Sequence, residues 1–519
     1  MNKWRRTLKR TAALVVSAVF LAVSGCAAKA SDPLAEFHYG LNTQPAILDP
    51  LMSTATVTAE VSRLIFEPLL TQDENFEVQP HVAESWEESN GGKTVTFTIR
   101  NDLKFHNGDP VTTDDVKASI ERWIETTGVG QQFFEGVEVE RVSDSKVAVH
   151  TPKKMFTLLE FLSDAGGQMT AIMPKKILDD TPAEGLTEFV GTGPYVFDQW
   201  KTDQYIALHK FEDYKPPKGE RSGLAGHREA KSEKMILHFV ADPSTRLAGL
   251  QSGEYNAVSL IPFDNSGLIE KDTTLKAITG ENGFNGVVFN KKAGLMADNT
   301  MRHAVAAALN HDDIQLAAFA DKEFYDVNGA ISLPSQQYYT EAGIDKFNQH
   351  DLKLAAKLME EAGYGGEPVR ILTSREYEDH YNSAVVLEQN LKTAGFNTKM
   401  IVVDWATVLN MRTDETAYDL FTTAWAVNTI PSTQVFLLES WPGWTNDDQL
   451  KQAMNDLTYA ADENEAKEAN DRLQERFFEY RPIVKYGNKR TIIGASADAE
   501  GVEFVTGAGV ILWEAHMTD

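Results

Sequence analysis

A chain of 519 residues that contains one cysteine cannot be held together by disulfides. Cys26 has no intramolecular partner, so the fold has to be stabilised by burying apolar surface. The roughly 490 residues beyond it are enough for two or three domains. No later window approaches the roughly 18 uninterrupted apolar residues of a spanning helix, so that core must close in water. The formal net charge is −27. This argues against nucleic acid, whose recognition needs a basic footprint, and fits a soluble monomer.

The first residues have a different character. Lys3, Arg5, Arg6, Lys9 and Arg10 precede an apolar run from Ala12 to Val23, followed by Ser24, Gly25 and Cys26. That run is shorter than the roughly 20 residues needed to cross a bilayer. A basic start, a short apolar stretch and small residues make residues 1–25 an export signal. Its ending resembles a bacterial lipobox, which implies that Cys26 becomes lipidated and the new N-terminus; otherwise this is an ordinary signal peptide. Residues 26–35 read as a tether. One acyl chain holds weakly, whereas a multiply acylated cysteine anchors firmly.

Strand and helix patterns then alternate, predicting an α/β chain with mixed sheets. Residues 36–41 read as a strand, and 55–70 as a helix with Val57, Val61, Leu64 and Ile65 on one face. Residues 93–100 alternate as a half-buried strand after the Asn90-Gly91-Gly92 turn. Thr112 or Thr113 caps a helix whose buried face is Val116, Ile120 and Trp123. Strands are expected at 234–240, 286–290, 369–373, 398–403 and 420–425, and helices at 244–251, 299–309 and 381–394. With no repeat and no evident linker, lobes built from discontinuous segments are expected.

Val82-Ala83-Glu84-Ser85-Trp86, then Thr94 to Arg100, then Leu103 to Val116 with Lys104-Phe105-His106-Asn107-Gly108-Asp109-Pro110 resemble the signature of the solute-binding proteins of peptide and nickel ABC importers. Gly191-Thr192-Gly193-Pro194-Tyr195, Ser252-Gly253-Glu254, Phe289-Asn290, Arg302-His303-Ala304 and Leu512-Trp513 continue it over nearly the whole mature chain. The resemblance implies a bilobal, three-subdomain periplasmic-binding-protein clamp with a discontinuous first lobe. Lobe I would comprise residues 36–67, 191–281 and 487–519, with a second subdomain at 68–190; lobe II would be 282–486. It also implies a peptide or small-molecule ligand, ABC permease and ATPase partners, and an extracytoplasmic location on the cell membrane. Gly191 and Gly193 would give backbone freedom near a crossing between lobes, and Trp86, Phe97 and Phe105 would be core.

No motif points to catalysis or to a cofactor. His-Glu-x-x-His and the Walker loop are absent, and the 12 histidines are scattered, so no metal site is expected. Acid pairs such as Asp114-Asp115 open helices, where the macrodipole favours them. An exported hydrolase remains a competing class, as do a metal chelate, an oligosaccharide or an opine-like conjugate as ligand.

Residues 421–431 resemble the family segment Gly-Trp-x-x-Asp-Tyr-x-Asp-Pro, with Trp425 as its tryptophan. Peptide-binding members resemble one another in pairing the first aspartate with the peptide α-ammonium; here that position is Asn428. Loss of the carboxylate removes a charge-assisted bond. Either the ligand lacks a free ammonium, or Glu376, Glu378 or Asp379 replaces that aspartate from the loop after residue 373. Arg375 in that loop is suited to an anion. Trp405, Trp425, Trp441 and Trp444 are expected as cleft walls, Trp405 and Trp425 alternatively as core. Asn42, Thr43 and Gln44 would face the cleft by resemblance.

Overall fold

The computed structural model describes residues 35–163 and 168–518. Cys26, the signal and nearly all of the tether lie outside the described residues.

A mixed sheet of eleven strands organises the described residues. At its centre run two long antiparallel strands, Leu275–Phe289 and Ile483–Ser496. On one side of them stand Ala257–Val258, Glu36–Leu41, Lys234–Phe239, Tyr205–Lys210 and Tyr195–Lys201; on the other, Leu420–Trp425, Val369–Thr373 and Thr398–Val402. The central pair therefore carries the chain from one half of the molecule to the other. Register irregularities fall between Glu281 and Gly283 and between Asn285 and Gly286. Gly283 has φ of 99°, and a Cβ there would lie 1.9 Å from the Trp425 carbonyl oxygen. Only glycine fits that bulge.

A separate four-stranded sheet joins Ala83–Ser89, Thr94–Ile99, Lys146–His150 and Glu138–Ser143. The helix Thr113–Thr126 covers it. Thr112 and Asp115 form the reciprocal cap at its start, satisfying two orphan amides. Val116, Ile120 and Trp123 are buried with Phe97 and Phe105 in one core. Trp86 is only partly buried against that core, because its strand pairs on one side alone.

Four local expectations need correction. The helix from residue 56 stops at Ile65, and Phe66 is extended; Pro68 lies just beyond and biases the residue before it against the helix. The strand expected at 286–290 is the end of the 15-residue strand Leu275–Phe289, whose alternation is interrupted by three glycines. The helix expected from residue 381 starts at Glu378, which moves Glu378 and Asp379 from a loop into its first turn. Gly191 and Gly193 serve close approach, not φ freedom: Cβ atoms there would stand 2.1 and 2.6 Å from the carbonyl oxygens of Ile65 and Leu64.

Candidate functional site

The two halves of the large sheet line a cavity of about 130 Å³, partly open to solvent. Its walls are aromatic. Tyr377 and His380 stack with centroids 4.7 Å apart, and Trp405 meets them at 4.9 and 5.2 Å. The capped helix Trp405–Met411 positions that ring. Trp425, at the end of its strand, stands 6.3 Å from Trp441. Two indole N–H groups, Nε1 of Trp405 and of Trp425, are buried with no partner among the described residues. An unmade bond of this kind costs about 1–3 kcal/mol.

Five of the residues anticipated from sequence line this cavity: Asn42, Trp405, Trp425, Asn428 and Trp441. Asn428 is buried; its side-chain amide donates to Thr433 Oγ1 at 2.8 Å, and its backbone carbonyl accepts from Gln336 Nε2 at 2.9 Å. Thr43, Gln44, Arg375, Glu376 and Trp444 are not among the lining residues. Glu376 is engaged in holding the two halves together. Its Oε2 accepts from Thr43 Oγ1 at 3.1 Å and from the Trp405 amide at 3.0 Å. Gln44 accepts from Asp203 N at 2.7 Å and Trp200 Nε1 at 3.3 Å, within its own half. Arg375 is exposed and lies 4.5 Å from the Tyr381 ring centroid, donating to its hydroxyl at 2.8 Å. Trp444 stacks 6.4 Å from Tyr418.

The acids expected to substitute at position 428 are also occupied or displaced. Asp379 pairs with Lys489 at 2.7 Å. Burial pushes its carboxyl up, but Lys489 and His380 together outweigh that and hold it below the usual range. Glu378 lies outside the cavity lining.

Sequence reasoning missed the charged residues that do line the cavity: Glu60, Arg63, Arg412 and Lys489. Glu60 and Arg63 lie on the helix Thr56–Ile65, and polar residues on an amphipathic helix read as solvent-facing. Burial raises the Glu60 carboxyl to about 7, although the Val510 amide donates to Oε1 at 3.1 Å and Arg63 is near. Arg63 donates to the Ala508 carbonyl. Arg412 caps the end of the Trp405–Met411 helix. Its guanidinium lies 5.2 Å from the Trp441 ring centroid, and its Nε is buried without a partner. Burial lowers this group to about 10. His380, neutralised by burial, is lowered to about 4. The arrangement is that of a binding cavity: aromatic surfaces, fixed donors and a few charges. Among the described residues no group of three or more His, Cys, Asp or Glu is placed to hold a metal, and no helix is long and apolar enough to cross a membrane.

Comparison with known proteins gives the same architecture. The chain is 25% identical to the oligopeptide-binding protein AppA of Bacillus subtilis over 521 residues, covering 91% of this chain and 90% of AppA. It is 24% identical to a probable peptide ABC transporter periplasmic-binding protein, y4tO, of Sinorhizobium fredii over 461 residues, covering 85% and 86% of the two chains. Among solved structures, the periplasmic binding protein AgaA of Agrobacterium tumefaciens, determined with agropinic acid, superposes with a TM-score of 0.81. That pair shares 22% identity, and the match covers 93% of this chain and 99% of AgaA. The model of the middle region of bacterial extracellular solute-binding proteins, family 5, matches residues 77–447, and the chain belongs to that family.

Proposed function

We propose that this chain is the extracytoplasmic receptor of an ABC importer, which captures a peptide or peptide-like solute by closing two lobes and delivers it to a membrane permease served by an ATPase. The observation that carries this reading is the cavity between the two halves of the sheet, walled by Tyr377, Trp405, Trp425 and Trp441. Relatives named as peptide-binding match most of the chain. In this reading residues 36–67, 191–281 and 487–519, with the subdomain 68–190, form lobe I, and residues 282–486 form lobe II. The protein binds without turnover, acts as a monomer and is held at the membrane through Cys26.

Native mass spectrometry of the purified protein tests the ligand class. A co-purifying peptide supports the reading. A sugar or metal chelate in its place would keep the receptor and discard the peptide.

A further inference from the structure

We propose that the seam between the subdomain 68–190 and the end of the helix Asp448–Thr458 is a latch, which stabilises the closed form of the clamp without touching the solute. It biases how readily the two lobes close and not which solute they hold. The inference rests on the two-lobe receptor reading.

The seam is built from groups that complete one another. The last carbonyls of a helix have no partner within it. Here the Thr458 carbonyl accepts from the Phe156 amide of the subdomain at 2.9 Å. The next residue, Tyr459, donates from its hydroxyl to the Phe133 carbonyl at 3.3 Å. Lys153, on the exposed surface of the subdomain, places Nζ 3.6 Å from the centroid of the Tyr459 ring. The ring face and the negative end of the helix both attract that ammonium. Behind these contacts Phe133 and Phe161 of the subdomain, with centroids 5.1 Å apart, share one buried core with Met454 and Leu457 of the helix. None of Phe133, Lys153, Phe156, Thr458 and Tyr459 lines the cavity. By contrast, the bond from Trp441 Nε1 to Thr54 Oγ1, at 3.4 Å, joins the lobes through two cavity residues, where a solute would disturb it.

Each side of the seam is fixed to its own lobe. Glu67 ties the subdomain to the rest of lobe I. Its Oε2 accepts from Thr192 Oγ1 at 2.9 Å and its Oε1 from the Tyr214 hydroxyl at 2.8 Å. His81 Nε2 stands 3.1 Å and the Arg228 guanidinium 3.6 Å from the same Oε1. Glu67, His81 and Arg228 are each 2% exposed. Parting a buried cluster of this kind strands its charges, so it stays intact while the lobes move. On the other side, Arg476 pairs with Asp447 at 2.7 Å and Arg472 with Asp456 at 3.0 Å. These pairs hold the helix Asp448–Thr458 to the helix Glu463–Tyr480 of lobe II. With both sides anchored and the lobes joined by the long central strands, opening has to part Phe156 from Thr458 and Lys153 from Tyr459.

The test follows hydrogen exchange of the Phe156 amide in the full chain by fragmentation mass spectrometry, with and without an equimolar mixture of di- to hexapeptides. In the solute-free parent that amide should exchange slowly, because opening of the seam is what frees it. Lys153→Met, a change at an exposed site that keeps the length of the side chain, should speed exchange about two- to fivefold, the scale of one exposed cation–π contact. Lys153→Arg, which keeps the cation, should restore the parent rate. A captured peptide should slow the exchange in parent and variant alike, because solute and seam favour the same form. Native mass spectrometry should show the same order of preference among captured peptides in both. An unprotected Phe156 amide in the parent, equal rates in parent and Lys153→Met, or a changed order of peptides overturns the latch and leaves the receptor reading standing. Capture of no peptide by the folded parent overturns the peptide reading, while the solute-free rates still decide the latch.

Discussion

The Asn428 amide donates to the Thr433 hydroxyl at 2.8 Å, and that hydroxyl donates its own proton to the Ile430 carbonyl, also at 2.8 Å. Position 428 therefore needs a donor. An ionised aspartate there would set two acceptors against one hydroxyl proton, which accounts physically for the amide where peptide-binding relatives resemble one another in having an acid. Asn428→Asp should destabilise the protein by about 1–3 kcal/mol at pH 7. Part of that loss should be recovered at pH 4, where a protonated carboxyl can donate again. Urea denaturation at the two pH values measures this, and equal stability of parent and variant at pH 7 would contradict it.

Glu60 makes stability depend on pH in the opposite sense to most carboxylates. Its folded value of about 7 lies above its ordinary 4.5, so the folded state binds the proton more tightly. The stabilisation is complete below pH 4.5 and is lost as pH rises from there through 7. At 1.36 kcal/mol per unit the loss is at most about 3 kcal/mol. In ligand-free protein, Glu60→Gln should match the parent near pH 4 and exceed its stability at pH 8. A variant no more stable than the parent at pH 8 would show that Glu60 is solvated in the folded state.

Gly283 and Gly253 both have positive φ, but they differ in their surroundings. A Cβ at Gly283 meets the Trp425 carbonyl oxygen at 1.9 Å, whereas at the helix cap Gly253 nothing lies within 4 Å. Gly253→Ala should cost about 1 kcal/mol, the conformational term alone. Gly283→Ala should cost about 3 kcal/mol or more, because backbone strain is added to a clash. Similar thermal unfolding of the two variants would mean that the bulge relaxes freely.

Cys26→Ser should move the protein from the membrane fraction to the soluble extracytoplasmic fraction. Fractionation with immunodetection reads the outcome, and a variant as firmly membrane-bound as the parent would rule out anchoring through this residue.

Local chemistry was legible where sequence neighbours decide it. The strand Thr94–Ile99, the cap at Thr112 and the buried face Val116, Ile120 and Trp123 follow from alternation, capping and helical spacing. The tryptophans at 405, 425 and 441 could be nominated because large aromatic residues in turns or at strand ends have few alternatives. Glu60 and Arg412 could not. Each looks like an ordinary charged residue of a helix, and only the meeting of residues distant in sequence brings both to one cavity. The same limit misplaced Glu376, whose partner Thr43 is 333 positions away. Lys489 was hidden by its strand, where its ion pair depends on a helix start that the sequence reading had placed three residues late.

The two long central strands have a consequence for how such a molecule can diversify. They join the two halves of the sheet, while Glu60, Arg412 and Asn428 stand on other elements. Replacing a side chain at any of those three positions changes the lining of the cavity and leaves the strands that join the two halves untouched. The lining of the cavity and the frame that joins its two sides can thus vary independently of one another.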